Sequence, residues 1–112
     1  MSTPNDPNRK RIAELVKQAE AIVEVIESQT VDGRWAMTAF SRYKLCDLLE
    51  IAPYGPYEGS LEGDPTALLE DAVRIAEALE VPVEDLSWRL ALGDALRTAA
   101  ADIRMVQDAR DV

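Results

Sequence analysis

The stretch that decides the fold covers residues 64–86 and reads DPTALLEDAVRIAEALEVPVEDL. It opens with Asp64 as an N-cap and proline at the first helical position, a preferred start for an α-helix. Pro82, with Glu84 and Asp85 in the turn after it, ends this helix near Glu80 and begins another. The stretch therefore predicts two amphipathic helices joined at a proline. The first turns an apolar face inward, made by Leu68, Leu69, Ala72, Val73, Ala76 and Leu79.

The second of these helices is predicted to run to Arg110. Gly93 lies inside it and costs roughly 1 kcal/mol relative to alanine, so it marks either a close helix crossing or a break. The small residues 99–101 favour a close crossing. The expected core face consists of Leu86, Leu90, Leu92, Leu96, Ile103 and Val106.

Residues 52–64, which end at Asp64, contain two prolines and three glycines and predict one long loop. Residues 34–51 precede it and follow the turn signal Asp32-Gly33. Their apolar side chains occupy more than one helical face, which is typical of the central helix of a bundle. This interpretation places Trp35 and Phe40 in the core.

The N-terminal helix is predicted over residues 8–29, with residues 1–7 disordered. Its apolar residues form a narrow stripe from Ile12 to Ile26 at a spacing of three and four. Glutamates and Lys17 occupy the opposite face. Packing inside the same chain is the preferred interpretation, although a homodimer through this stripe also fits a repeat of about 3.5 residues.

These segments predict an all-α fold, a compact bundle of about four helices in one domain over residues 1–112, with an acidic Tyr/Gly/Pro loop between helices 2 and 3. The N-terminus is polar, and no apolar run reaches the roughly 20 residues that span a bilayer. The expected location is therefore the cytoplasm. Cys46 is the single cysteine and lies among leucines, which predicts a buried, inert thiol.

The negative charge is concentrated in the middle of the chain. Residues 47–85 contain eleven acidic residues against Arg74 alone, whereas the segments on either side are nearly neutral. The net charge of −9 therefore comes from this third. Such a field repels nucleic-acid phosphates and attracts basic protein surfaces, or it serves solubility alone.

The loop inside this acidic third carries two tyrosines, which are favoured at binding hot spots. Their rings either anchor a partner or fold back as a lid on the bundle. On the first hypothesis, the neighbouring carboxylates pair with lysine or arginine of the partner. The predicted protein-binding residues are Tyr54, Tyr57, Glu58, Glu62, Asp64, Glu70 and Asp71.

Catalysis, a cofactor and a metal site are not expected. The chain has no histidine, which removes the common general base and most zinc sites. Residues 58–69 imitate part of a calcium loop but place Leu69 where the bidentate glutamate belongs. Glu70 and Asp71 are adjacent and point to different sides of a helix, so they form no acid/base pair.

Asp64-Pro65-Thr66 followed by residues 73–86, VRIAEALEVPVEDL, resembles the closing helices of phage-repressor-type helix-turn-helix domains. The resemblance covers about a fifth of the chain. The part of that family that reads DNA has no counterpart, because the acidic loop stands where a recognition helix belongs. The resemblance implies a transcriptional regulator that has lost DNA binding.

The predicted function is a non-enzymatic module that binds a basic protein surface, without direct nucleic-acid or membrane binding. Small acidic inhibitors from phages and mobile elements, including anti-CRISPR proteins and nucleic-acid mimics, share this size and charge. The alternatives are an oligomeric helical adaptor that uses the Ile12 to Ile26 stripe, and the degenerate helix-turn-helix regulator.

Overall fold

The computed structural model describes residues 6–31 and 33–110 and confirms the all-α fold. Within this part of the chain there is no strand, and no helix is long and apolar enough to cross a membrane. The helices are α1 (Pro7–Gln29), α2 (Ala39–Leu48), α3 (Pro65–Ala78) and α4 (Leu86–Arg110). Short 3-10 turns, Arg34–Thr38 and Val83–Asp85, lead into α2 and α4.

The helices pack around one core in the order α1, α3, α4, α2. Helix α3 packs along both α1 and α4, and α2 packs along α4, whereas the backbones of α1 and α2 approach each other less closely. Thr66 at the start of α3 bonds Gln107 near the end of α4, so these two helices are antiparallel. The wider space between α1 and α2 is spanned by side chains instead, and this is where the candidate site lies.

Helix α1 begins at Pro7, one residue before the predicted start. The Asp6 side chain accepts the backbone N–H of Asn8 at 2.8 Å, and Pro7 occupies the first helical turn. These two residues are thus ordered, while residues 1–5 of the segment predicted as disordered lie outside the described residues. The Ile12 to Ile26 stripe faces the core of the same chain and is buried apart from the partly buried Ile26. A homodimer through this stripe would require α1 to leave its own core.

The start of α3 follows the prediction closely. Asp64 is the N-cap, and its side chain accepts the backbone N–H of Thr66 at 3.1 Å. Pro65 is the first helical residue. The predicted inward residues of α3 are buried or partly buried in the core. The preceding loop extends over residues 49–64 and thus begins three residues earlier than predicted.

The prediction of Trp35 in the core is confirmed, whereas that of Phe40 is wrong. Trp35 is buried, but Phe40 is 85% exposed. The 3-10 turn explains the difference, because its three residues per turn place Trp35 and Thr38 on the inner side. The α-helix that starts at Ala39 then continues in a different phase, and Phe40 faces solvent.

The predicted core face of α4 is also partly wrong. Leu92, Leu96, Ile103 and Val106 are buried, but Leu86 and Leu90 are exposed. Leu90 stands six residues before Leu96, which rotates it by about 120° away from the buried face.

Gly93 does not break α4, which is continuous from Leu86 to Arg110. The three atoms that a Cβ at this position would approach most closely, from 3.4 Å, all belong to the Arg97 guanidinium of the same helix. Neither the predicted break nor a close helix crossing therefore explains this glycine.

We expect Gly93→Ala to stabilise the protein by about 0.5–1 kcal/mol, because alanine restricts the unfolded chain and the Arg97 side chain can adjust. Urea denaturation followed by circular dichroism measures the change. Gly33→Ala is the matched control. Gly33 has a left-handed backbone, with φ of 71°, so alanine there should destabilise. A loss of stability in Gly93→Ala would show that the helix is packed more tightly at this position than the structure indicates.

Candidate protein-binding site

Loop 49–64 folds back along α1. The backbone N–H of Tyr54 donates to Glu24 Oε1 at 2.6 Å, and Gln18 Nε2 donates to the carbonyl oxygen of Glu62 at 3.1 Å. Because Gln18 lies nearly two turns before Glu24 on α1, the loop passes along this helix and covers part of the gap beside α2. Its position is thus set by side chains of α1.

Tyr54 is fixed although its side chain is 58% exposed. Its hydroxyl donates to Glu27 Oε1 at 2.7 Å and accepts from the Tyr43 hydroxyl at 2.6 Å, and the two rings meet edge to face. The hydrogen bonds to Tyr43 and Glu27 raise the pKa of Tyr54, so the phenol stays protonated. The backbone of Tyr54 has φ of 58°, a left-handed conformation that is unfavourable for residues other than glycine. It persists because these hydrogen bonds hold the residue in place.

Tyr57 is half-buried, and its ring folds back on the loop beside Gly59. A Cβ atom at Gly59 would overlap the hydroxyl end of the Tyr57 ring, so a side chain at this position would displace the ring. The two loop tyrosines therefore differ. Tyr54 is exposed and tied to α1, and Tyr57 is partly covered.

Beneath the loop lies a buried charged group that we call the Arg42 cluster, formed by Arg42, Glu20, Glu27 and Thr38. Arg42 donates to Glu20 Oε1 at 2.5 Å, to Glu27 Oε2 at 3.0 Å and to Thr38 Oγ1 at 2.8 Å. Arg42 and Glu20 are 2% and 7% exposed. The cluster joins α2 to α1 across the space that their backbones leave open.

The Arg42 cluster carries more negative than positive charge. Burial raises the pKa of Glu20 to about 7 against the pull of Arg42, and the carboxylates of Glu24 and Glu27 add to the increase. Glu20 also changes the pKa of Cys46, which is buried as predicted. Burial and the Glu20 charge raise the pKa of this thiol to about 12, which keeps it unreactive.

The sequence did not indicate this cluster. The acidic residues of α1 were placed on the solvated face, and Arg42 was not distinguished from the other cations. A usable signal was present, since Glu20, Glu24 and Glu27 stand four and three residues apart and so share one helical face.

A surface pocket of about 240 Å³ opens between α1 and the loop, and we call it the loop pocket. Glu20 and Glu24 reach it from α1, and Glu50 and Tyr57 reach it from the other side. Lys17 is the cation in its lining, against the carboxylates of Glu24 and Glu50, whereas Glu20 is already held by Arg42. The pocket combines negative charge with an aromatic ring and the apolar side chains of Ile51, Ala52 and Pro56.

The predicted binding residues divide into two groups. Tyr54, Tyr57, Glu58 and Glu62 lie on the loop, and the side chains of Glu58 and Glu62 are exposed. The other three, which are Asp64, Glu70 and Asp71, are engaged elsewhere. Asp64 caps α3 and accepts from Gln107, while Glu70 and Asp71 form ion pairs with Arg104 and Arg74.

The structure therefore replaces part of the predicted constellation. Glu70 faces α4, whereas the loop lies along α1, so the acids of α3 do not join the loop tyrosines. Glu24 and Glu50, which the sequence did not single out, lie beside Tyr57 instead. Their convergence depends on the path of the loop and could not be derived from spacing.

Comparison of the chain with protein families, curated proteins and solved structures finds no match.

Proposed function

We propose that the protein is a non-enzymatic module that binds a basic surface of a partner protein through loop 49–64 and the adjoining face of α1. The observation that carries the proposal is the convergence of Glu24 and Glu50 with Tyr57 at the loop pocket. A lysine or arginine side chain offers a cationic head and an apolar stem, which match the carboxylates and the apolar part of this lining.

Two further properties of the loop support this proposal. Glu58 and Glu62 follow Tyr57 in the same loop, and their side chains are exposed. Their negative charge speeds encounter with a basic surface at low salt. The hydrogen bonds of Tyr54 to α1 and α2 hold the loop in one conformation. A loop that is ordered before binding loses less conformational entropy when the partner docks.

The preferred partner is a protein whose basic surface otherwise holds nucleic acid, because arrayed carboxylates can replace phosphates on such a surface. The module would then act in the cytoplasm as an inhibitor by occupying that surface. The anti-CRISPR-like and nucleic-acid-mimic assignment belongs to this proposal and rests on size and charge.

The two alternative functions draw no support from the described residues. The stripe of α1 that would serve an oligomeric adaptor is buried in the core. The segment that resembles helix-turn-helix domains forms α3, the turn after it and only the first residue of α4. Helix α3 packs antiparallel to α4, with contacts at both ends of the pair.

Charge reversal on the loop should weaken partner capture by at least about tenfold, because several charge-assisted contacts are lost together. The test variant is Glu50→Lys/Glu58→Lys/Glu62→Lys, and binding is measured by quantitative pull-down from host lysate at low and high salt. Captured proteins are then assayed for nucleic-acid binding with and without the module.

The matched control is Glu80→Lys/Glu84→Lys/Asp108→Lys, which changes the net charge equally at exposed sites outside both the loop and α1. The proposal expects capture to persist in the control and to fall in the loop variant. Equal loss in both variants would mean that bulk charge causes the binding. Undiminished capture by the loop variant would exclude the loop as the binding surface.

A further inference from the structure

A second concave surface lies on the other side of α3, where this helix meets α4. It has a volume of about 400 Å³, within the range of small-molecule sites. Its apolar floor is formed by Val73, Ala100 and Ala101, whose short side chains leave the groove between the helices unfilled. Its rim carries Arg74, Arg97 and Arg104, and we call this site the α3–α4 niche.

The niche is short because ion pairs between the two helices lie at both of its ends. Arg104 pairs with Glu70 at one end, and Arg97 pairs with Glu77 at 3.1 Å at the other. The two arginines are seven residues apart, which corresponds to about 10 Å along α4. A peptide helix lying along the groove would have to displace both pairs, whereas a small molecule fits between them.

The lining of the niche contains three arginines and one glutamate, in a chain with a net charge of −9. Each arginine is paired with at least one carboxylate, so the niche presents oriented guanidinium groups and not an excess of positive charge. Arg97 also bonds Asp94 at 2.7 Å, and Arg74 pairs with Asp71. These acids orient the guanidinium groups without using all of their five N–H donors.

Arginines held in this way suit an anionic group. A guanidinium offers paired donors that match a carboxylate, sulfonate or phosphate. The existing ion pairs are between half-exposed side chains and contribute little to stability, so an arginine can shift from a carboxylate to a ligand at low cost.

We infer that the α3–α4 niche binds a small organic anion, with its charged group on the arginines and a flat apolar body on the floor formed by Val73, Ala100 and Ala101. This site is distinct from the loop pocket. It holds whether or not the loop binds a basic partner.

The probe for this site is 8-anilinonaphthalene-1-sulfonate, an aromatic anion whose fluorescence rises in apolar surroundings. Titration of the full-length protein should show saturable binding. Arg97→Gln/Arg104→Gln should weaken it by about tenfold or more, since hydrogen bonds to charged groups are lost. The neutral N-phenyl-1-naphthylamine should bind the wild type more weakly than the sulfonate does.

Lys10→Gln/Arg11→Gln is the matched control, with the same loss of charge at exposed positions of α1. It should bind the probe as the wild type does. Ala101→Trp adds a second test that does not remove charge, because Ala101 is exposed and a large ring there fills the niche. Binding should be lost in this variant while the helical content stays unchanged.

Absence of saturable binding by the wild type would overturn the inference. Equal affinity for the sulfonate and its neutral analogue would remove the role of the arginines. Unchanged affinity in Ala101→Trp would place the probe elsewhere, for example on the exposed Phe40. None of these results bears on the loop, so the failure of this inference is separable from that of the proposed function.

Discussion

Replacing Arg42 with alanine is expected to lower the free energy of unfolding by about 3–5 kcal/mol at neutral pH. The substitution leaves Glu20 and Glu27 without their common cation in a place where Glu20 is almost completely buried. It also removes the contact that joins α2 to α1. Denaturation by urea, followed through the helical signal, measures the loss.

Arg104→Ala is the matched control for this prediction. Arg104 also pairs with a glutamate, but the pair is on the surface, and its loss should cost less than about 1 kcal/mol. Since a domain of this size has only about 5–15 kcal/mol of stability, Arg42→Ala can fail to fold. Arg42→Lys then serves instead, because it keeps the charge and loses part of the hydrogen bonding. Equal effects of the Arg42 and Arg104 substitutions would show that the Arg42 cluster does not stabilise the fold.

Stability is expected to decrease as the pH rises from about 5 to 7.5. The pKa of Glu20 is raised from 4.5 in the unfolded chain to about 7 in the folded protein. Between these values the folded state binds a proton that the unfolded state does not bind. This contribution is therefore fully present below pH 4.5, is lost as the pH rises through 7, and amounts to about 3 kcal/mol at most.

Glu20→Gln should remove this pH dependence, because glutamine has no proton to release. At pH 8 the variant should be at least as stable as the wild type, since Glu27 still pairs with Arg42. Glu58→Gln is the control for the general effect of lowering the net charge, and it should keep the wild-type slope. The assignment is wrong if Glu20→Gln and the wild type lose stability in parallel between pH 5 and 8.

The parts of the fold that were predictable depend on interactions between residues close in the chain. Asp64 and Pro65 define the start of α3 through one hydrogen bond and one fixed backbone angle. Prolines and glycines exclude residues 52–64 from regular helix. The apolar stripe of α1 shows which side is buried, because a helix repeats every 3.6 residues.

The predictions failed where burial depends on which faces meet. Phe40 and Leu90 are apolar residues in helices, yet the helices that pack on α2 and α4 do not cover them. Glu20 is charged but buried, because Arg42, which is 22 residues away in the sequence, reaches it from another helix. Neither result follows from periodicity. The periodicity shows which face of a helix is apolar, but it does not show which other helices pack against that face.

The candidate site shows the same division. The sequence identified the loop, its tyrosines and the acidic third. It could not show that Glu70 pairs with Arg104 or that Glu24 and Glu50 accompany Tyr57. The ion pair depends on the packing of α3 against α4. The position of Glu24 and Glu50 depends on the path of the loop along α1, which is fixed by the bonds of Tyr54 and Glu62 to that helix.

By itself, the sequence determined an all-α chain, the start of α3, the approximate position of its long loop and the concentration of negative charge. Capping, proline geometry, periodicity and composition act within a few residues, so they can be read locally. Only the tertiary structure decided the helix order, the buried Arg42 cluster, the loop pocket and the α3–α4 niche. Each of these joins side chains from segments that are distant in the chain, and their contact energies arise only after the helices have packed.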